Sequence, residues 1–273
     1  MKDKLERIKT GIPGFDELVE GGIPKGFNLL VTGTPGTGKT IFGLQFLYNG
    51  MKEGDTGLYI TLDSQAEKLF KQASQFGWDL ETLEKARMFS VLEIPTNKRM
   101  HTNILRIIED AVRETKAKRI VFDNLTAFTC NIDQFVFQLP PAEIRVGFQH
   151  EEFEKDEANE RALADTEPEE NMMGLKPDSL DKKVAYLVLR EFAAFGTTNM
   201  IVASTTQTGN ITNEAGEFAC DGLVRLHNEL IGAKHIRTLS VVKMRYTDHS
   251  QYIHDMDITK QGVKVKPAEA VYK

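Results

Sequence analysis

Cysteine is scarce: the chain has two, Cys130 and Cys220, with no C-x-x-C pair and no Cys/His cluster at zinc spacing. That excludes a disulfide-stapled or zinc-stapled scaffold and leaves two reduced, structural thiols, as expected of a cytoplasmic protein. Positive charge is also in deficit. Lys and Arg number 34 against 40 Asp and Glu, a formal net charge of −6, so no general field draws the chain to nucleic acid. No basic cluster with interleaved aromatics offsets this, and nucleic acid is not an expected partner. Long uncharged runs are missing too: nothing approaches the ~18 residues of a membrane span. The N-terminus MKDKLERIKTG has no apolar segment of the signal-peptide kind. We therefore expect neither membrane association nor export.

What is present centres on Phe27 to Gly43, FNLLVTGTPGTGKTIFG. Within it, Gly33-Thr34-Pro35-Gly36-Thr37-Gly38-Lys39-Thr40 satisfies G-x-x-x-x-G-K-[ST], the P-loop pattern. Gly33, Gly36 and Gly38 have no Cβ, so the backbone can aim successive N–H groups at a phosphate. A helix starting near Lys39 and continuing through Ile41 adds its positive end to that cradle. Lys39 would reach the β- and γ-phosphates of ATP, and the Thr40 hydroxyl would sit on Mg²⁺. Leu29, Leu30 and Val31 before the glycines read as a buried strand, and Ile41, Leu44, Gln45, Leu47 and Tyr48 after them as a helix.

Further on, Leu58 to Leu62 reads as a second buried strand ending at Asp63 and Ser64, with a helix from Gln65 to Phe76. Arg87 to Val91 is a weaker strand. Ile104, Ile107, Ile108, Ala111 and Val112 share one helical face. Ile120-Val121-Phe122-Asp123 ends an apolar strand in a carboxylate, the form of a Walker B acid, so Asp123 would support Mg²⁺ through a water. Between Gln149 and Asn171 ten acidic residues face only Lys155 and Arg161. That stretch reads as an exposed acidic insertion within 135–180, either a solvated loop or an arm for a protein partner. A helical pattern resumes at Val184 to Phe195, then a strand at Asn199 to Ser204. From Gly222 the texture is strand-rich, with Gly232 and Gln261-Gly262 as hairpin turns. Strands and helices alternating over the first two thirds predict an α/β fold with a largely parallel central sheet, extended by C-terminal antiparallel strands. One domain over residues 1–273 is the economical organisation.

TGIPGFDEL, GTPGTGKT, YITLD, IVFDN and KMRYTDH together resemble the KaiC-like branch of the RecA/RadA P-loop ATPases. The resemblance covers nearly the whole chain and is weakest around the acidic stretch. It implies a RecA-like sheet with helices on both faces, and Mg·ATP bound between subunits of a homo-oligomer, usually a hexamer. It also implies that Lys243 and Arg245, two apart on one strand and so on one face, act on a neighbour's γ-phosphate, and that His249 lies near that interfacial nucleotide. The family usually places two glutamates after the second strand to position the attacking water. This chain has Asp63 and Ser64 there, one carboxylate shortened and one missing. Tyr246 stands where glycine commonly follows the Lys-x-Arg. Among Ser204, Thr205, Thr206 and Gln207, at the end of a core strand, a residue sensing the γ-phosphate is expected.

These readings predict a slow Mg-dependent ATPase acting as an oligomeric regulatory or signalling device. An ATP-binding scaffold with little hydrolysis is the alternative, motivated by Ser64 and the acidic stretch. A RadA-like recombinase paralogue is a third, against which the net acidity argues.

Overall fold

Leu29, Leu30 and Val31 are apolar on both faces, which only a strand covered on both sides satisfies, and they lie in β3 (Asn28–Gly33), buried throughout, after a short antiparallel pair β1 (Arg7–Ile8) and β2 (Ile23–Pro24). The same composition produces β4 (Gly57–Thr61), β6 (Arg119–Asp123) and β7 (Thr198–Ser204). With β5 (Phe89–Glu93) and β8 (Gly222–Ile231) these strands pair in parallel. The strands β9 (Lys234–Met244), β10 (Ile253–Thr259) and β11 (Gly262–Lys266) then continue the sheet antiparallel, giving the order β11-β10-β9-β8-β3-β7-β6-β4-β5. The expected parallel sheet with an antiparallel extension is therefore present. The computed structural model describes residues 5–62, 64–95, 103–131, 177–205 and 214–268. The acidic stretch 149–171 and Asp63, Thr206 and Gln207 lie outside the described residues.

Strand alternation sorts the core into two. Leu29, Val31, Val121, Met200 and Val202 meet Phe42 and Phe46 of α1 (Lys39–Lys52) and Leu69 of α2 (Ala66–Ser74). On the other face Leu30, Ile120, Phe122 and Ile201 meet Ile104 and Ile108 of α4 (Ile104–Thr115), with α5 (Leu125–Cys130) and α6 (Pro177–Ala194) completing the layer. Two short helices went unread in the sequence, α3 (Leu80–Lys85) and α5, each six residues long and so too short to show a period. Their signals are caps: the Asp79 side chain accepts from Thr82 N–H, and that of Asn124 from Ala127 N–H. A third, α7 (Glu214–Ala219), precedes β8.

The approach to β3 folds around one carboxylate. Asp16 accepts hydrogen bonds from Thr10 N–H, the Thr10 hydroxyl and Gly11 N–H, closing the TGIPGFD segment into a knot. Gly14, at φ +80°, packs against the Val265 carbonyl with no room for a Cβ, and Val265 N–H donates to Pro13 O at 2.8 Å. The knot is thereby fixed to β11, and Asn49 of α1 holds it from the other side through Thr10 O.

One irregularity decides the chemistry of β9. Opposite Leu223 stands Lys243, but opposite Val224 stands Val241, so Val242 is an extra residue, a β-bulge. Leu239 and Val241 belong to the core on the α1 side, and beyond the bulge it is Met244 that does so. Lys243 is turned to the α7 side instead, where its ammonium donates to the carbonyls of Glu217, Phe218 and Cys220. Arg245 donates to the same Phe218 carbonyl.

Candidate nucleotide site

The P-loop lies at the carboxyl end of β3, and after β7 the chain crosses to the far side of β3 to become β8. Such a crossover at strand carboxyl ends is where open α/β sheets take their ligands. Gly36 and Gly38 have φ of +81° and +101°, left-handed values that side-chain-bearing residues seldom adopt. Thr37, fully buried, donates through its hydroxyl to Thr34 O at 2.9 Å, bracing the loop between exposed Pro35 and the start of α1. Gly33 abuts the Leu226 carbonyl of β8.

Lys39 opens α1 and folds back, donating to Gly33 O at 2.7 Å and Thr34 O at 2.9 Å. Burial lowers its pKa from the usual lysine value, opposed by the attraction of Asp123. Thr40 donates through its hydroxyl to Asp123 Oδ2 at 2.7 Å. Packing makes that contact possible. Gly43, one turn along α1 from Thr40, lies where a Cβ would come within 3.0 Å of Val121 Cγ1, so the helix can press directly onto β6. Ile41 is partly buried against the α1-side core. The structure thus places the Gly33–Ile41 loop and the Asp123 carboxylate side by side.

It does not bring Lys243, Arg245 or His249 to the same P-loop. Lys243 pairs with Leu223, and Leu223 pairs with Leu30, three residues before Gly33. Three strand residues span ~10 Å, and the ammonium points onto α7. Arg245 lies further along, within 3.4 Å of Asp221 and donating to Phe218 O. His249, half-buried, has its Nδ1 3.1 Å from Ser250 O. Tyr246 takes φ +55°, the conformation for which glycine is suited, and is 83% exposed just past the end of β9 rather than packed within it. Ser204 closes β7, its N–H donating to the Thr126 hydroxyl, and Thr205 N–H donates to Gly33 O. Cys220 is buried as expected of a structural thiol, but Cys130 is exposed at the end of α5.

Two residues at the loop were not singled out from sequence. Arg237 of β9 donates through Nε to Gly36 O at 3.3 Å, and Asn228, opposite it on β8, has a buried Oδ1 with no hydrogen-bond partner among the described residues. Tyr59 is the other surprise: fully buried on β4, it donates through its hydroxyl to Asp123 Oδ2 at 2.6 Å.

A family model described as "ATPase: KaiC" matches residues 8–137 and 172–270, skipping the whole of the acidic stretch 149–171. The chain belongs to the KaiC ATPase family. Among its KaiC-like relatives, a UPF0273 protein of Thermotoga maritima is 30% identical over 97% of this chain and 98% of its own length. The circadian clock oscillator protein KaiC of Parathermosynechococcus lividus is 29% identical over 98% of this chain, which spans 43% of that protein. The crystal structure of a KaiC-like protein from the archaeon Pyrococcus horikoshii superposes with a TM-score of 0.72 at 27% identity, covering 97% of this chain and all of the other. Fold and sequence therefore agree on a KaiC-like P-loop ATPase. No helix among the described residues is long and apolar enough to cross a membrane.

Proposed function

We propose that the chain binds Mg·ATP at this P-loop and hydrolyses it slowly, as one unit of a homo-oligomeric, ring-forming regulatory ATPase in the cytoplasm. The observation that carries the reading is the Thr40 hydroxyl on the Asp123 carboxylate, 2.7 Å apart at the mouth of the glycine loop. A hydroxyl and a carboxylate side by side suit Mg²⁺, which takes oxygen donors and keeps most of its remaining positions for water and phosphate. Thr40 would hold the ion directly and Asp123 through a water. Bound there, Mg²⁺ would neutralise charge gathering on the γ-phosphoryl oxygens.

The chain's own groups supply the rest. Gly36, Gly38 and the start of α1 direct N–H groups at the phosphates. Lys39 exchanges its two carbonyl partners for the β- and γ-phosphates, and partial burial strengthens that interaction. Asp63 positions the attacking water. Lys243 and Arg245 act on the nucleotide of an adjacent subunit. Their placement ~10 Å or more along the sheet from their own P-loop supports action in trans over action in cis. His249 lies near that same interfacial nucleotide.

A second reading has its own support. With Ser64 where the family usually has a glutamate, and Lys243 engaged by three carbonyls, the protein is an ATP-gated scaffold with little turnover. The acidic stretch would then meet a protein partner. Steady-state phosphate release from Mg·ATP over a range of protein concentrations, with oligomer size read on the same samples, separates the two. Specific activity that rises with concentration and vanishes in Lys39→Ala supports the interfacial ATPase. ATP-driven assembly with phosphate release no greater than in Lys39→Ala supports the scaffold. ATP binding that survives Lys39→Ala undiminished refutes both.

A further inference from the structure

We infer that Tyr59 is a positioning residue for the metal-supporting carboxylate: its hydroxyl fixes Asp123 and so sets how readily Mg²⁺ is taken up with ATP. The inference rests on the nucleotide reading above and adds to it a residue outside the P-loop and Walker B segments.

Tyr59 stands on β4 in register with Val121 of β6, which makes Asp123 its diagonal neighbour two residues on. Diagonal side chains on adjacent strands start ~7 Å apart, a gap a tyrosine ring can span and a shorter polar side chain cannot. The ring itself is fully buried in the core beneath α1. Phenylalanine would fill the same volume, so only the hydroxyl distinguishes tyrosine here, and it meets Asp123 Oδ2 at 2.6 Å. Hydrogen bonds to a charged acceptor at this length are among the stronger kind.

Asp123 Oδ2 is thus held by two donors, Thr40 from α1 and Tyr59 from β4. They differ in one respect. Thr40 must turn its oxygen to the metal when Mg·ATP binds, whereas Tyr59 has no part in the phosphate cradle and can keep its grip throughout. A carboxylate held by a permanent donor commits one oxygen to the protein and presents the other in a fixed orientation. Without Tyr59 it is free to rotate, and part of the binding free energy of the metal is spent on ordering it.

The test is the Mg²⁺ concentration giving half-maximal binding of a fluorescent N-methylanthraniloyl-ATP, in the full chain and in Tyr59→Phe. The expected result is an increase of about tenfold in half-saturating Mg²⁺, with Mg²⁺-free nucleotide binding in EDTA unchanged. In an Asp123→Asn background the same substitution should add no further shift. An unchanged Mg²⁺ dependence overturns the role of Tyr59 and leaves the ATP reading standing. Loss of Mg²⁺-free binding also overturns it, because a general disturbance of the core then suffices. Nucleotide binding equal in the native chain and in Lys39→Ala overturns the reading underneath. Should Tyr59→Phe not fold, 4-aminophenylalanine at position 59 keeps the ring and an N–H donor toward Asp123. Half-saturating Mg²⁺ must then stay close to the native value, and a rise of about tenfold refutes the inference.

Discussion

Replacing Gly50 by alanine should destabilise the protein although alanine is the better helix former. Gly50 lies in the last turn of α1, and a Cβ there would come to 2.5 Å from Arg119 Cδ, with Nε and Cζ nearer still. Arg119 is only 4% exposed and has nowhere to withdraw. Its Nε pairs with Asp55 at 2.8 Å, and its Nη1 donates to Lys9 O at 2.8 Å and Phe46 O at 3.2 Å. Cζ also sits 5.0 Å over the Phe46 ring. Displacing such a guanidinium breaks a buried pair, at ~3 to 5 kcal/mol. Alanine's helix propensity returns about 1 kcal/mol, leaving a net loss of ~2 to 4 kcal/mol. Equilibrium urea unfolding should show a lower midpoint with an unchanged m-value. Because Arg119 also holds Lys9 O, limited proteolysis should cut the segment before Thr10 faster. A midpoint equal to or above that of the native chain would refute the reasoning, since Arg119 could then move without cost.

Three other outcomes follow from groups already described. Lys243→Ala removes the ammonium from three carbonyls and should cost ~1 to 2 kcal/mol in urea unfolding; on the trans reading it also abolishes phosphate release while Mg·ATP binding persists. His254 is buried, with Nδ1 accepting from Ala268 N–H at 2.8 Å and Nε2 2.7 Å from Ser250 Oγ, and burial lowers its pKa. The unfolded chain then takes up the proton first as pH falls, so stability should decline from ~6.5 downward until the folded pKa is passed, a decline His254→Gln should flatten in urea midpoints. Burial also pushes the Cys220 thiol up to about 11 while Cys130 is exposed, so iodoacetamide at pH 8 should modify one thiol in the native protein and two after denaturation.

The nucleotide loop was legible because its information is local. Gly36, Gly38 and Lys39 act through neighbours in sequence, and Asp123 announces itself as a carboxylate at the end of an apolar strand. The sheet was legible for the same reason, since β3, β4, β6 and β7 carry continuous apolar runs that only a doubly covered strand needs. What could not be read depends on register between distant segments. Tyr59 looks like one more core aromatic until β4 and β6 are aligned and its hydroxyl falls on Asp123, 64 residues away. Arg237 looks like a solvated strand residue until β9 folds back along β8 toward Gly36. That Lys243 and Arg245 share a face follows from the period of two; which face they share does not, because Val242 interrupts the count. The exposed position of Cys130 follows from α5, a helix too short to show periodicity.

Val242 acts on β9 as an inserted letter acts on a reading frame. Upstream of it, odd-numbered positions face α1, so Arg237 reaches the P-loop of its own chain; downstream the phase is reversed, and Lys243 and Arg245 look away from it. Deleting that one residue would close the ladder without turning either side chain, since Lys243 already stands opposite Leu223 and Met244 opposite Gly222; a β9 that kept Val242 but paired it regularly would instead drive the Lys243 ammonium into the α1-side core and expel the Met244 side chain. Two charged ends of one strand are thus kept on opposite sides of the sheet by a single residue left out of the pairing.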